Sequence, residues 1–408
     1  MHILYIHQYF KTPDEMGGTR SYDLAKSFVL KGNEVTVLSS TSDKKYKTKK
    51  RWTRIKRDEL WVDYIYLPYD NEMSFSKRSK VFVQFIYFAT QHLLKLNCDV
   101  LLATSTPLTI GIPALVKKWA HKTPFIFEAR DVWPEAVIAI GAIKNILLQK
   151  ALYFLEKTIY ANAAAIVPLS VDMKHSIVSR YPKLTNKPIV VIENISEINR
   201  FQKEYDSNHD IINKLLGFKP RFTILYAGTF GRVNGMDYVI NLAEKSWVLD
   251  NELIYILVGS GAEKKNTIAL AKKKGVWKKN VFVFDAITKQ ELPQWYASAD
   301  MGSSFVIPIK ELWANSANKF FDTLASGIPI LINHQGWQKE VIEKDNLGYV
   351  LPEQLTDENV RDFVSYTQDK LLQESQKKNA FNKAKGFYSL DVAVEKYLAI
   401  FKAVIKVD

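Results

Sequence analysis

The stretch Asn315-Ser-Ala-Asn-Lys-Phe-Phe-Asp-Thr-Leu-Ala-Ser-Gly-Ile-Pro-Ile-Leu-Ile-Asn333 reads as a short helix running directly into a buried strand. Asn315 or Ser316 suits the helix start as a cap, and Gly327 suits its end. Phe320, Phe321 and Leu324 supply a core face. Lys319 and Asp322 lie three residues apart and so share the other face close to the helix N-terminus. A cation beside free backbone N–H groups suits a phosphate, and a carboxylate one turn later suits a sugar diol. The pair points to a nucleotide-sugar site, with Ser316 and Asn318 beside it.

Outward from this stretch, strand and helix patterns alternate along the chain. In the first half, Ile3–Ile6, Glu34–Leu38, Val100–Ala103, Phe125–Glu128, Ala164–Val167 and Ile189–Ile192 read as strands, with a helix over Thr19–Lys31 ended by Gly32. The rhythm restarts with Phe222–Ala227, Leu253–Val258, Val281–Phe284, Met301–Phe305 and Ile328–Ile332, and a helix begins at Met236. Such a series predicts parallel sheets wrapped by helices. The 408 residues exceed one ordinary core, so two doubly wound domains are expected, facing across a cleft. The polar interval from Ser196 to Lys219 marks the expected boundary, giving domains 1–195 and 196–386. The end, Leu390 to Val407, reads as a long amphipathic helix with no strand after it.

Composition narrows the class. The chain is 47% hydrophobic and 24% charged, ordinary for a globular protein. The single cysteine, Cys98, forbids an internal disulfide and fits a reducing compartment, so a cytoplasmic protein is expected. Met1-His-Ile-Leu-Tyr-Ile-His7 lacks a basic leader and reads as a first strand. Val81 to Leu96 is too short and too interrupted by Gln84, Gln91, His92 and Lys95 to span a bilayer of about 30 Å. The net charge is +13, with nine Lys or Arg and three acids between Thr41 and Leu60. The aromatic-rich segment Phe75 to Leu96 follows, carrying Phe82, Phe85, Ile86 and Phe88. A basic patch beside such a segment suits an anionic membrane surface and a peripheral position there. The plainer alternative is a solvated loop followed by a core helix. Zinc spacings, RNP sequences and basic zippers are missing, so nucleic acid is not an expected partner.

Three further motifs carry chemistry. Gly17-Gly18-Thr19-Arg20 follows the first strand and opens a helix, letting backbone approach a ligand closely. It is not G-x-G-x-x-G, and no acid ends the second strand, which argues against an NAD enzyme. Gly228-Thr-Phe-Gly-Arg-Val-Asn-Gly235 occupies the same position in the second half and adds Arg232, whose fork can grip phosphate oxygens. Phe127-Glu-Ala-Arg-Asp-Val-Trp-Pro-Glu135 crowds four charges at a strand end. There Arg130 could hold an anion and Asp131 could orient or deprotonate a hydroxyl, unless the charges pair internally. Metal-ligand spacings and Asp-x-Asp are missing, so no metal cofactor is expected and Arg, Lys and helix ends are left to stabilise charge. The seven histidines are scattered and read as surface or core.

Together and in this order, Gly17-Gly18, Phe127-Glu-Ala-Arg-Asp-Val-Trp-Pro134, Tyr226-Ala-Gly-Thr-Phe-Gly231 and Asn318-Lys-Phe-Phe-Asp-Thr-Leu-Ala-Ser-Gly-Ile-Pro329 resemble the retaining GT-B glycosyltransferases of family 4. The bacterial subgroup that builds capsule, O-antigen and related polysaccharides is most similar. Val191-Ile-Glu-Asn-Ile195 resembles the family's lead into the interdomain linker. The resemblance implies two Rossmann-like domains, with 387–408 forming a helix that returns to the N-terminal one. It implies that Gly17, Gly18, Gly228 and Thr229 border the donor, that Arg232 and Lys319 bind its diphosphate, and that Asp322 holds the ribose. The backbone around Phe284-Asp285-Ala286 would meet the base, and Arg130 and Asp131 would stand beside the reacting sugar. The chain departs from the family at three points. Asp322 replaces a Glu, Ala314 occupies the place of the first Glu of E-x7-E with Glu311 out of register, and Asn234 stands where a lysine is usual.

The expected function is therefore transfer of a sugar from a nucleotide diphosphate, UDP first, to a hydroxyl of a lipid-linked or polysaccharide acceptor. Two rivals remain at this stage: a UDP-sugar 2-epimerase of the same architecture, and a non-catalytic basic membrane-associated protein.

Overall fold

In a computed structural model, residues 1–69, 73, 75–205 and 210–405 are described. The middle of the 196–219 interval and the last three residues of the expected C-terminal helix lie outside them.

The first sheet is built from β1 (His2–Ile6), β2 (Glu34–Thr41), β3 (Trp52–Arg57), β4 (Leu60–Tyr66), β5 (Val100–Thr104), β6 (Phe125–Ala129) and β7 (Ala165–Pro168), in the order β3-β4-β2-β1-β5-β6-β7. All neighbours run parallel except β3 against β4. Alternation along β1 shows why the sheet is covered on both sides. Ile3 and Tyr5 enter one core with helix α1 (Arg20–Leu30), while Leu4 and Ile6 enter the other with α2 (Phe75–Leu93), α3 (Gly111–His121) and α4 (Ile146–Asn162). The second sheet holds β8 (Phe222–Ala227), β9 (Leu253–Val258), β10 (Val281–Phe284), β11 (Met301–Ser304), β12 (Ile330–Ile332) and β13 (Gly348–Val350), in the all-parallel order β10-β9-β8-β11-β12-β13. Helix α5 (Asn318–Ala325) joins β11 to β12, and α6 (Leu390–Ile405) ends the described chain.

The last helix does not stay with the second sheet. Its residues Val394, Tyr397, Phe401 and Val404 are buried in the core shared with α1 and β1. Phe28 of α1 meets the Phe401 and Tyr397 rings edge-on, at 5.3 and 5.9 Å between centroids. Direct bonds also stitch the two sheets' domains across the cleft. Gln290 N–H donates to the Pro13 carbonyl at 3.2 Å, Ser170 Oγ to the Ala314 carbonyl at 2.7 Å, and Asn194 Nδ2 to the Ser316 carbonyl at 3.1 Å.

Two expectations about local structure need correction. Ile189–Ile192 is not a strand; it runs beside β7 through an isolated bridge from Ile189 to Ile166 and through N–H bonds from Val190 and Ile192 to the Ile166 and Pro168 carbonyls. The basic stretch Thr41–Leu60 is not a free loop. It contains β3, whose Arg54 grips Asp63 of β4 with two N–H groups at 2.6 and 2.8 Å, so cross-strand pairing satisfies part of the charge. Helix α2 has a core side: Val81, Phe85, Ala89 and Leu93, each four apart, are buried. Phe82 stacks on Tyr69, and the Arg51 guanidinium lies over Phe88, 4.0 Å from its centroid.

Candidate active site

The carboxyl ends of both sheets open into the cleft between them, where doubly wound folds bind ligands. A cavity of about 450 Å³ there is lined from the first domain by Met16, Gly17 and Gly18 and from the second by Gly228, Thr229, Ala286, Lys289, Asn318, Lys319 and Asp322. Gly17 has φ +125°, a conformation that side chains rarely adopt. A Cβ on Gly18 would stand 2.5 Å from the Asn318 amide nitrogen, so its bare backbone permits the two domains to approach.

Helix α5 starts at Ala317 as cap residue, with no side-chain cap. Neither Asn315 nor Ser316 caps it as expected, because both have other partners. Ser316 Oγ accepts the Asn194 backbone N–H at 3.2 Å, and Asn315 Oδ1 accepts the Ala317 N–H at 3.2 Å. The uncapped helix start faces the cleft. At the other end Gly327 takes φ +64° after Ser326, the left-handed stop that the sequence called for. Lys319 projects beside the end of β8. Its Nζ lies 4.9 Å from the Tyr226 ring centroid and 3.3 Å from where a Gly228 Cβ would stand, so a larger residue there would crowd it. Burial pushes the ammonium down to about 8, partly offset by Asp322.

Asp322 is buried and engaged. Lys289, in the loop after β10, donates to both its oxygens at 2.6 and 2.5 Å. A carboxylate has about four lone-pair positions, so a diol can still be accepted beside this ammonium. Lys289 was invisible to sequence reasoning: Thr288-Lys-Gln-Glu291 looks like any solvated loop. Near this pair, Glu197, Arg200 and Asp23 bring the linker and α1 together, with Arg200 donating to Asp23 at 2.7 Å and to Thr19 Oγ1 at 3.1 Å. Burial, with Asp23 next, pushes the Glu197 carboxyl up to about 7, and its Oε1 is buried without a hydrogen-bond partner among the described residues. A raised carboxyl keeps its proton in the folded state while the unfolded chain has lost it. Stability therefore falls as pH rises from about 4.5 through 7. Glu197→Gln is expected to raise the melting temperature at pH 8 and to change it little at pH 4; equal effects at both would remove Glu197 as the titrating group.

Other expected donor residues are placed less uniformly. Arg232 does not share the Lys319 cavity; it lines an adjoining one of about 300 Å³ with Gly231, Gly235 and Asn333. The Phe284 carbonyl, expected to meet the base, already accepts Gly259 N–H at 3.2 Å and Lys264 Nζ at 2.9 Å. Asp285 points to solvent and pairs with Lys264 at 2.7 Å. Of that triplet only Ala286 lines the cavity. Ser316 and Asn318 face a third cavity, about 580 Å³, which Asn318 shares with the donor cavity.

Arg130 and Asp131 line this third cavity with His7, Tyr9, Lys11 and Tyr69. Thr106 Oγ1 donates to Asp131 at 3.2 Å. The four charges of the strand-end motif separate by role. Glu128 is fully buried and bonded to Arg20 Nε at 2.6 Å, while Arg130 and Asp131 reach the cavity. Arg20 continues to the carbonyls of Glu193 and Ile192 and to the Tyr397 hydroxyl. His7 is buried against the cavity. Burial, with Arg130 adding to it, holds its imidazole far below the usual range, down to about 3, so it is neutral at ordinary pH.

Two facing Rossmann-like domains with a cleft between them form the GT-B architecture. The family models agree: residues 17–200 match "Glycosyltransferase Family 4" and residues 207–383 match "Glycosyl transferases group 1". The chain belongs to family 4 of the glycosyltransferases. Spore coat protein SA of Bacillus subtilis is 22% identical over 231 residues, which span 54% of this chain and 59% of that protein. Among solved structures, sucrose-phosphate synthase from Thermosynechococcus elongatus superposes with TM-score 0.76 at 14% identity, covering all of both chains. HepE of Anabaena, solved with UDP-glucose, gives 0.71 at 14% identity, covering 99% and 100% of the two chains.

Proposed function

We propose that this glycosyltransferase moves a sugar from a UDP-sugar, with retention, to a hydroxyl of a lipid-linked or polysaccharide acceptor in bacterial cell-surface glycan synthesis, at the inner face of the plasma membrane. The observation that carries the reading is the Lys319 ammonium standing over Gly228 at the end of β8, one helical turn from Asp322, in a single cavity. The UDP-glucose held by HepE is the support for UDP as the nucleotide.

In this reading Lys319 and the uncapped start of α5 take the diphosphate, and Asp322, held by Lys289, takes the ribose diol. Gly17, Gly18, Gly228 and Thr229 bring backbone against the donor, and Ala286 borders the base. Arg232, from the adjoining cavity, meets the distal phosphate or the sugar. As the anomeric bond breaks, negative charge grows on the β-phosphate, and a fixed cation there lowers the barrier. The departing phosphate takes the acceptor proton. Arg130 and Asp131 orient the acceptor on the first domain's wall. We assign residues 1–195 to the acceptor-side domain, 196–386 to the donor domain and 387–408 to the returning helix.

Calorimetry with UDP tests this directly. Wild type is expected to bind, and Asp322→Ala to bind at least about tenfold more weakly, the worth of a lost charged hydrogen bond. Absence of heat from the wild type would remove UDP from the proposal.

A further inference from the structure

The helical layer formed by α2, α3 and α4 covers one face of the first sheet, α2 packing on α3 and α3 on α4. Its inner side is ordinary core. Its outer side is not ordinary surface. Val83, Tyr87, Trp119, Ile146, Leu147 and Phe154 stand 57 to 77% exposed there, and Leu147 and Phe154 are seven apart on one stripe of α4. Charge on the layer is equally one-sided. Helices α2 and α3 contain no Asp or Glu, and the one acid of α4, Glu156, is fully buried and bound by Arg180 and Tyr181. Lys77, Lys80, Lys150 and Lys157 on these helices are exposed, as is Lys144 just before α4. A chain with 43 acidic residues has thus kept them off the outside of these three helices.

We infer that this face seats on an anionic lipid bilayer. Apolar side chains interspersed with lysines, and free of acids, match an interface where alkyl chains lie beneath negative headgroups. The long lysine stems can lie along the acyl boundary while their ammonium groups stay among phosphates, and Trp and Tyr favour the same depth. Among the described residues no helix is long and apolar enough to cross a membrane, so the contact is interfacial. The location differs from the one the sequence suggested. The basic run 41–60 is partly paired within β3 and β4, and the Phe85 side of α2 is core, which moves the lipid-facing surface to the opposite side of α2 and across α3 to α4. The face belongs to the domain that carries Arg130 and Asp131. The inference therefore deepens the lipid-linked acceptor reading and rests on it for its purpose, whereas its test involves no sugar transfer.

That test is co-sedimentation of the full chain with vesicles of phosphatidylcholine alone or mixed with phosphatidylglycerol. Wild type is expected to sediment with the mixed vesicles, less so at high salt, and to stay in solution with phosphatidylcholine alone. Leu147→Ser/Phe154→Ser and Lys150→Glu/Lys157→Glu are each expected to lower partitioning about tenfold or more, with UDP binding unchanged as the check on folding. No sedimentation of the wild type, or unaltered sedimentation of both variants, overturns the inference. So does a wild-type dimer in solution that the Leu147→Ser/Phe154→Ser variant converts to monomer, because the face would then belong to a second copy of the chain.

Discussion

Lys319→Ala is expected to lower the rate of sugar transfer about 100-fold or more while the protein stays folded. The ammonium lies at the end of β8 with the Gly228 backbone beneath it, and among the described residues no other lysine or arginine lines the same cavity except Lys289, which is committed to Asp322. In the proposed reaction, removing it withdraws the fixed charge from the place where the departing phosphate gains its own. The sign of the stability effect makes the result easy to interpret. Burial lowers the Lys319 ammonium to about 8 from its usual value near 10.5. Between those values the unfolded chain binds the proton and the folded one does not, so stability rises with pH across that window and carries the full penalty below it. The variant should therefore melt no lower than wild type at pH 7. The same titration predicts that UDP affinity of the wild type weakens as pH rises past about 8, a dependence that Lys319→Ala loses. Turnover within threefold of wild type would take Lys319 out of the mechanism.

Arg20→Met is expected to cost about 3–5 kcal/mol of folding stability in urea unfolding, the effect of stranding a buried charge. Both side chains of the Arg20–Glu128 pair are fully buried. Burial pushes the Glu128 carboxyl up, and Arg20 followed by Arg130 more than reverses this, leaving it below its usual range. The pair's contribution is present above the ordinary carboxylate range of about 4 and is lost as pH falls below it. Thr104 and the Tyr5 hydroxyl complete the carboxylate's shell, and Arg20 bonds the linker carbonyls and Tyr397. The double variant Arg20→Met/Glu128→Leu should recover part of the loss, since no unpaired charge then remains. If the single variant unfolds at the wild-type urea concentration, the pair is not holding the linker.

The elements that the sequence made legible are those whose pattern depends on burial. The apolar strands at Ile3, Val100, Phe222 and Leu253 and the helix carrying Phe320, Phe321 and Leu324 needed no knowledge of their neighbours. What escaped depended on partners far away in the chain. Strands β3 and β4 were hidden because Arg54 and Lys56 look solvated until Asp63 and Trp61 are found opposite them. Strand β13 is three half-buried residues, too short for any alternation to register. Ser316 resembles a cap until Asn194 claims it. Within Phe127-Glu-Ala-Arg-Asp131 the charges looked alike, and only the burial of Arg20 shows that Glu128 holds the fold while its neighbours reach the cavity. Lys289 gave no signal at all, since nothing local distinguishes a lysine that will find a buried carboxylate 33 residues later.

The position of α6 has a consequence for how the chain is made. A ribosome releases β1 and α1 hundreds of residues before Val394, Tyr397 and Phe401 emerge to cover them. Until then Ile3, Tyr5 and Phe28 lack their final lid, and the nascent first domain is an incomplete body until α6 has been made. Chains terminated shortly before Leu390 should accordingly aggregate rather than survive as a folded first domain, and chaperone capture should persist until α6 has emerged.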